Sequence, residues 1–255
     1  MADAPETAQE TFISHLIELR DRLLRAIIAV VGFTLVLVYW AKEIYALLAQ
    51  PLLSALPAGA TMIATDVTGT FLVPLKVTLM AGFLLALPYV LYQMWAFVAP
   101  GLYQHEKRLA VPVLVSSFAF FLIGMSFAYF VVFPVAFGFF VGYTPPGVQM
   151  MTDIDKYLSF VLTMFLAFGL TFETPVVVVV LVRMGVVSLE KLRSVRAYVI
   201  VGAFVLGAIF TPPDVISQLL LAIPLWLLYE VGLFLARFVS VPKRGSEEET
   251  VEGRS

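Results

Sequence analysis

The sequence predicts an all-α integral membrane protein with six transmembrane helices and both termini on the cytoplasmic side. Three observations carry this expectation. Of the 255 residues, 61% are hydrophobic and only 13% charged, with a mean hydropathy of +0.96. A soluble domain holds roughly 45–50% apolar and about 25% charged residues, because polar side chains must cover its outside. The apolar residues also run continuously rather than alternating, which favours helices over a membrane barrel. Finally, thirteen Lys/Arg fall on one side of the expected spans and three on the other. The positive-inside rule places the thirteen in the cytoplasm.

About 20 apolar residues cross ~30 Å of hydrocarbon, and six segments qualify: 24–41, 70–97, 109–134, 157–182, 197–211 and 215–236. The connections 42–69, 98–108 and 135–156 are rich in proline, glycine and charge, 183–196 is basic, and Thr211-Pro212-Pro213-Asp214 is a short turn. The uncharged run Leu109–Phe140 has 32 residues. As a helix it would measure ~48 Å, so Pro134 is expected to mark its exit from the bilayer. The fifth segment, Ala197–Thr211, has 15 residues. At ~22 Å it is too short for a full core without local thinning, which sinks the Pro-Pro-Asp turn on the outer side. The chain divides into a cytoplasmic N-terminal part (1–25) with an amphipathic interfacial helix, a membrane domain (26–236) and a cytoplasmic tail (237–255). The tail contains the acidic stretch SEEETVE (246–252) and reads as disordered. The acidic N-terminus, MADAPETAQE, does not resemble a signal-peptide n-region.

Composition excludes several classes of function. A net charge of −2 does not suit a nucleic-acid binder. With no cysteine and only His15 and His105, thiolate chemistry is absent and a histidine metal site is disfavoured. His105-Glu106-Lys107-Arg108-Leu109 lacks the second histidine of a zinc protease helix. Ser126 has no histidine at membrane depth to form a dyad, and no glycine-rich loop ends in Lys-Ser/Thr for a nucleotide. Neither a cofactor nor an enzymatic activity is expected.

The remaining candidates are acidic. Segment 11–25 is amphipathic, with Phe12, Leu16, Leu19 and Leu23 on one stripe and His15, Glu18, Arg22 and Arg25 on the other. Glu18 either pairs with Arg22 across one helical turn or receives a cationic ligand at the membrane surface. Glu106 lies on the same face, and either pairs with Lys107 or Arg108 or joins Glu18. Glu173 stands ten residues from Arg183. That is ~15 Å of helix rise, near mid-bilayer, where an ionisable side chain costs about 2.5–3.5 kcal/mol and needs a partner, water or a cavity. Asp214 suits a helix N-terminus. Glu230 snorkels or makes a helix contact, Asp66 reads as a turn acid, and Lys76 snorkels outward.

Five strings in order, SHLIELRDRLLR, MIATDV, YQMWAFVAPGLYQHEKR, AFGLTFETPV and TPPDVISQ, resemble the TatC family between about residues 11 and 236. Members of that family are the large multi-spanning subunits of the twin-arginine protein translocase of the bacterial cytoplasmic (inner) membrane. The resemblance implies a cupped six-helix bundle with short helices 5 and 6. It also implies a receptor for twin-arginine signal peptides, which works with TatA- and TatB-type single-span subunits, further TatC copies and membrane lipids. Folded cargo then crosses on the protonmotive force. By the same resemblance, Glu18 and Glu106 look like the carboxylates that receive the two arginines, and Phe97 like part of that patch. Glu173 resembles the intramembrane acid on the concave side, and Asp214 the acid of the outer turn. Thr211 and Gln218 resemble contacts for a partner helix. A proton-coupled small-solute transporter using Glu173 is the alternative, although the sequence shows no inverted repeat.

Overall fold

The computed structural model describes residues 4–55, 62–98, 107–145, 147–148, 151–211 and 214–238, with the side chains of 4–12, 52, 55 and 107–109 outside that description. Its regular elements are helices, apart from one isolated bridge between Ile63 and Asp153. Five helical segments are long and apolar enough to cross a membrane, and Arg196–Phe210 is a shorter sixth. This is a multi-pass membrane protein.

The first span is longer than expected. Helix α1 (Ala4–Leu37) is continuous through residue 25 and passes a 3-10 turn, Val38–Trp40, into α2 (Ala41–Ala55). The sequence places a connection from residue 42, on the strength of its proline and polar content. Good helix formers prevail instead in AKEIYALLAQ. Pro51, inside α2, removes the amide that would bond the Leu47 carbonyl. The Tyr129 hydroxyl, from the third span, donates to that same carbonyl at 3.0 Å.

Helix α3 (Gly69–Val98) forms the second span. The third comprises α4 (Lys107–Phe127), a π-helical turn (Ala128–Val132) and α5 (Phe133–Gly142). Pro134 does not end it. The widened turn just before Pro134 already displaces the regular hydrogen-bond ladder, so the missing proline amide is absorbed and the helix runs on to Gly142.

The fourth span is broken at Glu173. Helix α6 (Ile154–Phe172) stops, Glu173 forms the joint, and α7 (Thr174–Arg183) follows with Pro175 in its first turn. Pro175 has no amide for the Thr171 carbonyl, and the Thr174 hydroxyl donates there at 2.7 Å. Gly185, at φ +69°, closes α7 in the left-handed region that favours glycine. A short helix, α8 (Leu189–Ser194), then leads to α9 (Arg196–Phe210) and α10 (Val215–Ala236).

Packing follows an arc: α1 lies on α3, α3 on α4 and α6, α7 on α10, and α10 on α9. The first and fifth spans therefore sit at opposite ends of an open bundle. Small residues set the closest approaches, since lipid gives helices no hydrophobic reason to associate. A Cβ on Gly82 would lie 2.3 Å from Thr34 Oγ1, and one on Gly124 would lie 2.5 Å from the Phe168 carbonyl oxygen. Buried phenylalanines, including Phe121, Phe133, Phe137, Phe165 and Phe168, fill the middle of the arc.

A polar cap ties the connections at one end. Across the bridge Ile63 bonds to both neighbours of Asp153, its N–H donating to Thr152 O at 3.0 Å and its carbonyl accepting from Ile154 N–H at 2.9 Å. Asp153 caps α6 through Oδ1 and accepts from the Thr65 amide and hydroxyl through Oδ2, at 2.9 and 2.6 Å. These bonds favour the ionised carboxylate and lower its pKa to about 2. Lys76 does not simply snorkel: it pairs with Asp155 at 2.6 Å. The Thr68 hydroxyl and amide likewise hold Asp66 below its usual range.

Candidate functional site

The end of the bundle at which α1 begins and α3 finishes carries the first cluster. Antiparallel packing of α1 on α3 sets its register: Thr34 meets Gly82, Arg22 meets Gln93, and His15 meets Phe97. The His15 ring stacks on Phe97 with centroids 4.3 Å apart and planes 16° from parallel. Between these points, Arg22 Nε and Nη2 both donate to one oxygen of Glu18, Oε1, at 2.8 and 2.6 Å. Arg22 Nη1 also reaches Gln93 Oε1 at 3.3 Å. Among the described residues, the second Glu18 oxygen meets only His15 Nδ1, at 4.0 Å. With the Glu18 side chain 42% exposed, one carboxylate oxygen remains open to a ligand while the other is held in place.

An apolar groove of about 190 Å³ runs beside this carboxylate, between α1 and α3, lined by Leu19, Leu23, Ala26, Val90, Met94 and Phe97 together with Arg22 and Gln93. The surface therefore combines an oriented anion, an aromatic stack and an apolar trough. Such a set suits an extended segment in which cationic residues precede apolar ones. Glu106 and His105 lie outside the described residues, as do the tail from residue 239 and Pro212-Pro213.

Glu173 is 4% exposed, and neither carboxylate oxygen finds a hydrogen-bond partner among the described residues. Ser117 lies within electrostatic reach of this carboxylate, but no hydrogen bond closes between them. The Ser117 oxygen instead accepts the Trp95 indole N–H at 2.8 Å. Glu173 sits at the joint between α6 and α7.

The third cluster is the turn between α9 and α10. Asp214 starts α10 as its N-cap, with Oδ1 accepting from the Ser217 amide at 2.7 Å, as the helix-dipole argument anticipates. Its Oδ2 and the Ser217 hydroxyl are buried without partners among the described residues. Gln218 Nε2 donates to the Phe204 carbonyl at 2.9 Å, clasping α9 to α10, and the Thr211 hydroxyl bonds back to Gly207 O at 2.7 Å. Glu230 pairs with Arg196 at 2.7 Å and so makes a helix contact.

The structure thus brings Glu18 and Phe97 together, and sets Glu173 apart from Thr211, Asp214 and Gln218. Sequence reasoning missed Gln93, Trp95, Ser117 and Asp153. Gln93 alone left a signal, as an amide inside an otherwise apolar span.

Comparison with known proteins agrees with this architecture. Residues 14–224 match the family model for TatC, the Sec-independent protein translocase protein. The chain is 57% identical over 239 residues to the Sec-independent protein translocase protein TatC of Escherichia coli (strain K12), covering 94% of this chain and 93% of that one. It is 56% identical over 235 residues to that of Azotobacter chroococcum mcd 1, covering 92% of each. A crystal structure of the twin-arginine translocase receptor TatC superposes with a TM-score of 0.78 at 43% identity, covering 88% of this chain and 99% of the other. The chain belongs to the TatC family of Sec-independent protein translocase proteins.

Proposed function

We propose that this protein is the receptor subunit of a twin-arginine translocase and binds twin-arginine signal peptides at its cytoplasmic face, where both termini lie. With TatA- and TatB-type partners and further copies of itself, it moves folded proteins across the membrane on the protonmotive force. The observation that carries this reading is the Glu18 carboxylate: Arg22 fixes one oxygen, while the other faces outward beside the His15–Phe97 stack and the α1–α3 groove. Glu106 supplies the second carboxylate. Two carboxylates match two guanidiniums, whose planar N–H forks lysine does not reproduce. The apolar part of the signal then lies along the groove, toward Glu173. Thr211 and Gln218 offer polar contacts to a partner helix, with Asp214 holding the turn between them.

The experiment is a binding titration of the purified protein with a twin-arginine signal peptide and its Lys-Lys counterpart. The Arg-Arg peptide binds more tightly, and the difference disappears in the Glu18→Ala/Glu106→Ala double variant, which still inserts and folds. Retention of the Arg-Arg preference in that variant refutes the assignment.

A further inference from the structure

Two buried polar side chains, Trp95 (2% exposed) and Ser117 (0% exposed), stand beside the intramembrane acid and take no part in the patch described above. Ser117 lies ten residues from Lys107, the start of α4, just as Glu173 lies ten residues from Arg183, the end of α7. Each is ~15 Å of helix rise from the basic end of the bundle, so the two share a depth. Trp95 is only three residues from the end of α3. Helical side chains lean toward the N-terminus of their helix, so its indole reaches back into the membrane. There its Nε1–H donates to Ser117 Oγ at 2.8 Å.

That bond occupies a lone pair of the serine oxygen and restricts where the hydroxyl proton can point. The Ser117 hydroxyl donates no hydrogen bond among the described residues, and the neighbouring Glu173 carboxyl has both oxygens unspent. In a low-dielectric interior, a facing donor and acceptor of this kind are worth most when joined and cost most when left apart. On α3, Gln93 and Phe97 share the face toward α1, while Trp95 is two residues from each. At about 100° per residue it falls on the opposite side, toward α4. A single turn of α3 therefore carries the recognition patch on one face and the indole donor on the other.

We propose that a rotation of the Ser117 hydroxyl closes the contact left open in this structure, making Ser117 the hydrogen-bond donor to the buried, unpartnered Glu173 carboxyl, and that Trp95, bonded to the Ser117 oxygen, is the positioning residue that aims it. The transport consequence rests on the translocase reading; the hydrogen bond itself does not.

The test is infrared difference spectroscopy of the full-length, peptide-free protein in lipid vesicles, with the Glu173 carboxyl vibration identified as the band lost in Glu173→Gln. That band shifts in Ser117→Ala and in Trp95→Phe, and stays in place in Ser117→Thr, which keeps the hydroxyl. In vesicles that also hold the single-span partners, Ser117→Ala and Trp95→Phe lower transport of a twin-arginine reporter about fivefold, the factor for one net hydrogen bond of ordinary strength, with peptide binding unchanged. Added to Glu173→Leu, which offers no acceptor, Ser117→Ala costs nothing further. A band unmoved by Ser117→Ala, or independent losses in the Glu173→Leu background, overturns the proposal. Absence of an Arg-Arg preference in the parental protein would refute the translocase reading instead, and would leave the infrared result to decide this one.

Discussion

At the scale of single residues, the proposed recognition surface turns on how Glu18 divides its two oxygens. Arg22 spends two donors on Oε1 and a third on Gln93. It thereby orients the carboxylate and also competes with any arriving guanidinium. The pair is partly exposed, and such ion pairs contribute about 0.2–1 kcal/mol. Arg22→Met, which keeps an apolar stem beside Leu23 and Ala26 but removes the charge, therefore tightens binding of the Arg-Arg peptide by up to about fivefold. The peptide titration reads this directly. Weaker binding in the variant would show that Arg22 belongs to the receptor surface rather than competing with its ligand. The i,i+4 spacing of Glu18 and Arg22 made this pair readable from the sequence. The Gln93 contact was not, because it joins residues 71 positions apart.

Among the elements, the broken fourth span shows how the protein builds irregular backbone where no water can satisfy it. Pro175 orphans the Thr171 carbonyl, and the Thr174 hydroxyl takes the place of the absent amide at 2.7 Å. Thr174→Val should destabilise the protein by about 1 kcal/mol, since the buried Thr171 carbonyl then loses its hydroxyl donor and keeps only a share of the Glu173 amide. In a Pro175→Ala background, the restored amide takes that carbonyl, and the same substitution should cost less than about 0.5 kcal/mol. A double-mutant cycle on unfolding in detergent or bicelles measures the difference. Equal costs in the two backgrounds would mean that Thr174 is not the substitute donor. The apolar runs alone revealed the six spans and their order. The extension of α2 through Pro51 and the tie from Thr65 to Asp153 were hidden, because each depends on a tertiary partner, whereas the break rests on the neighbouring Thr174 and Pro175 and its local signal was not read. Tyr129 reaches Leu47 from 82 residues away, and Thr65 reaches Asp153 across 88. The Asp214 cap needed only its own next turn, and there local reasoning sufficed.

For the whole molecule, the consequential feature is the mismatch between α9 and its partner α10. They have 15 and 22 residues, or ~22 and ~33 Å of helix, and run antiparallel. The Arg196–Glu230 pair fixes their register at the basic end: Glu230 lies 15 residues into α10, level with the first residue of α9. The hydrocarbon core is ~30 Å thick, so with Arg196 at the inner boundary the α9–α10 turn lies about 8 Å below the outer one. This turn holds Asp214 and Ser217, which carry buried polar atoms without partners among the described residues. A bilayer that thins here admits water to those atoms at modest cost per ångström of mismatch. Under the translocase reading, it would also weaken the barrier to transport on the open side of the arc. Spin labels at Val215 and Phe71, 69% and 72% exposed, start α10 and α3 respectively and report the local depth of each. With α3 at ~45 Å long enough to carry Phe71 to or past the outer boundary, the label at Val215 should lie at least about 8 Å deeper than the label at Phe71, yet remain accessible to a water-soluble relaxation agent. Equal depths would show that the short fifth span is accommodated by shifting the Arg196–Glu230 pair into the hydrocarbon instead. The polar turn would then sit at an ordinary interface, and the bilayer would keep its thickness on that side.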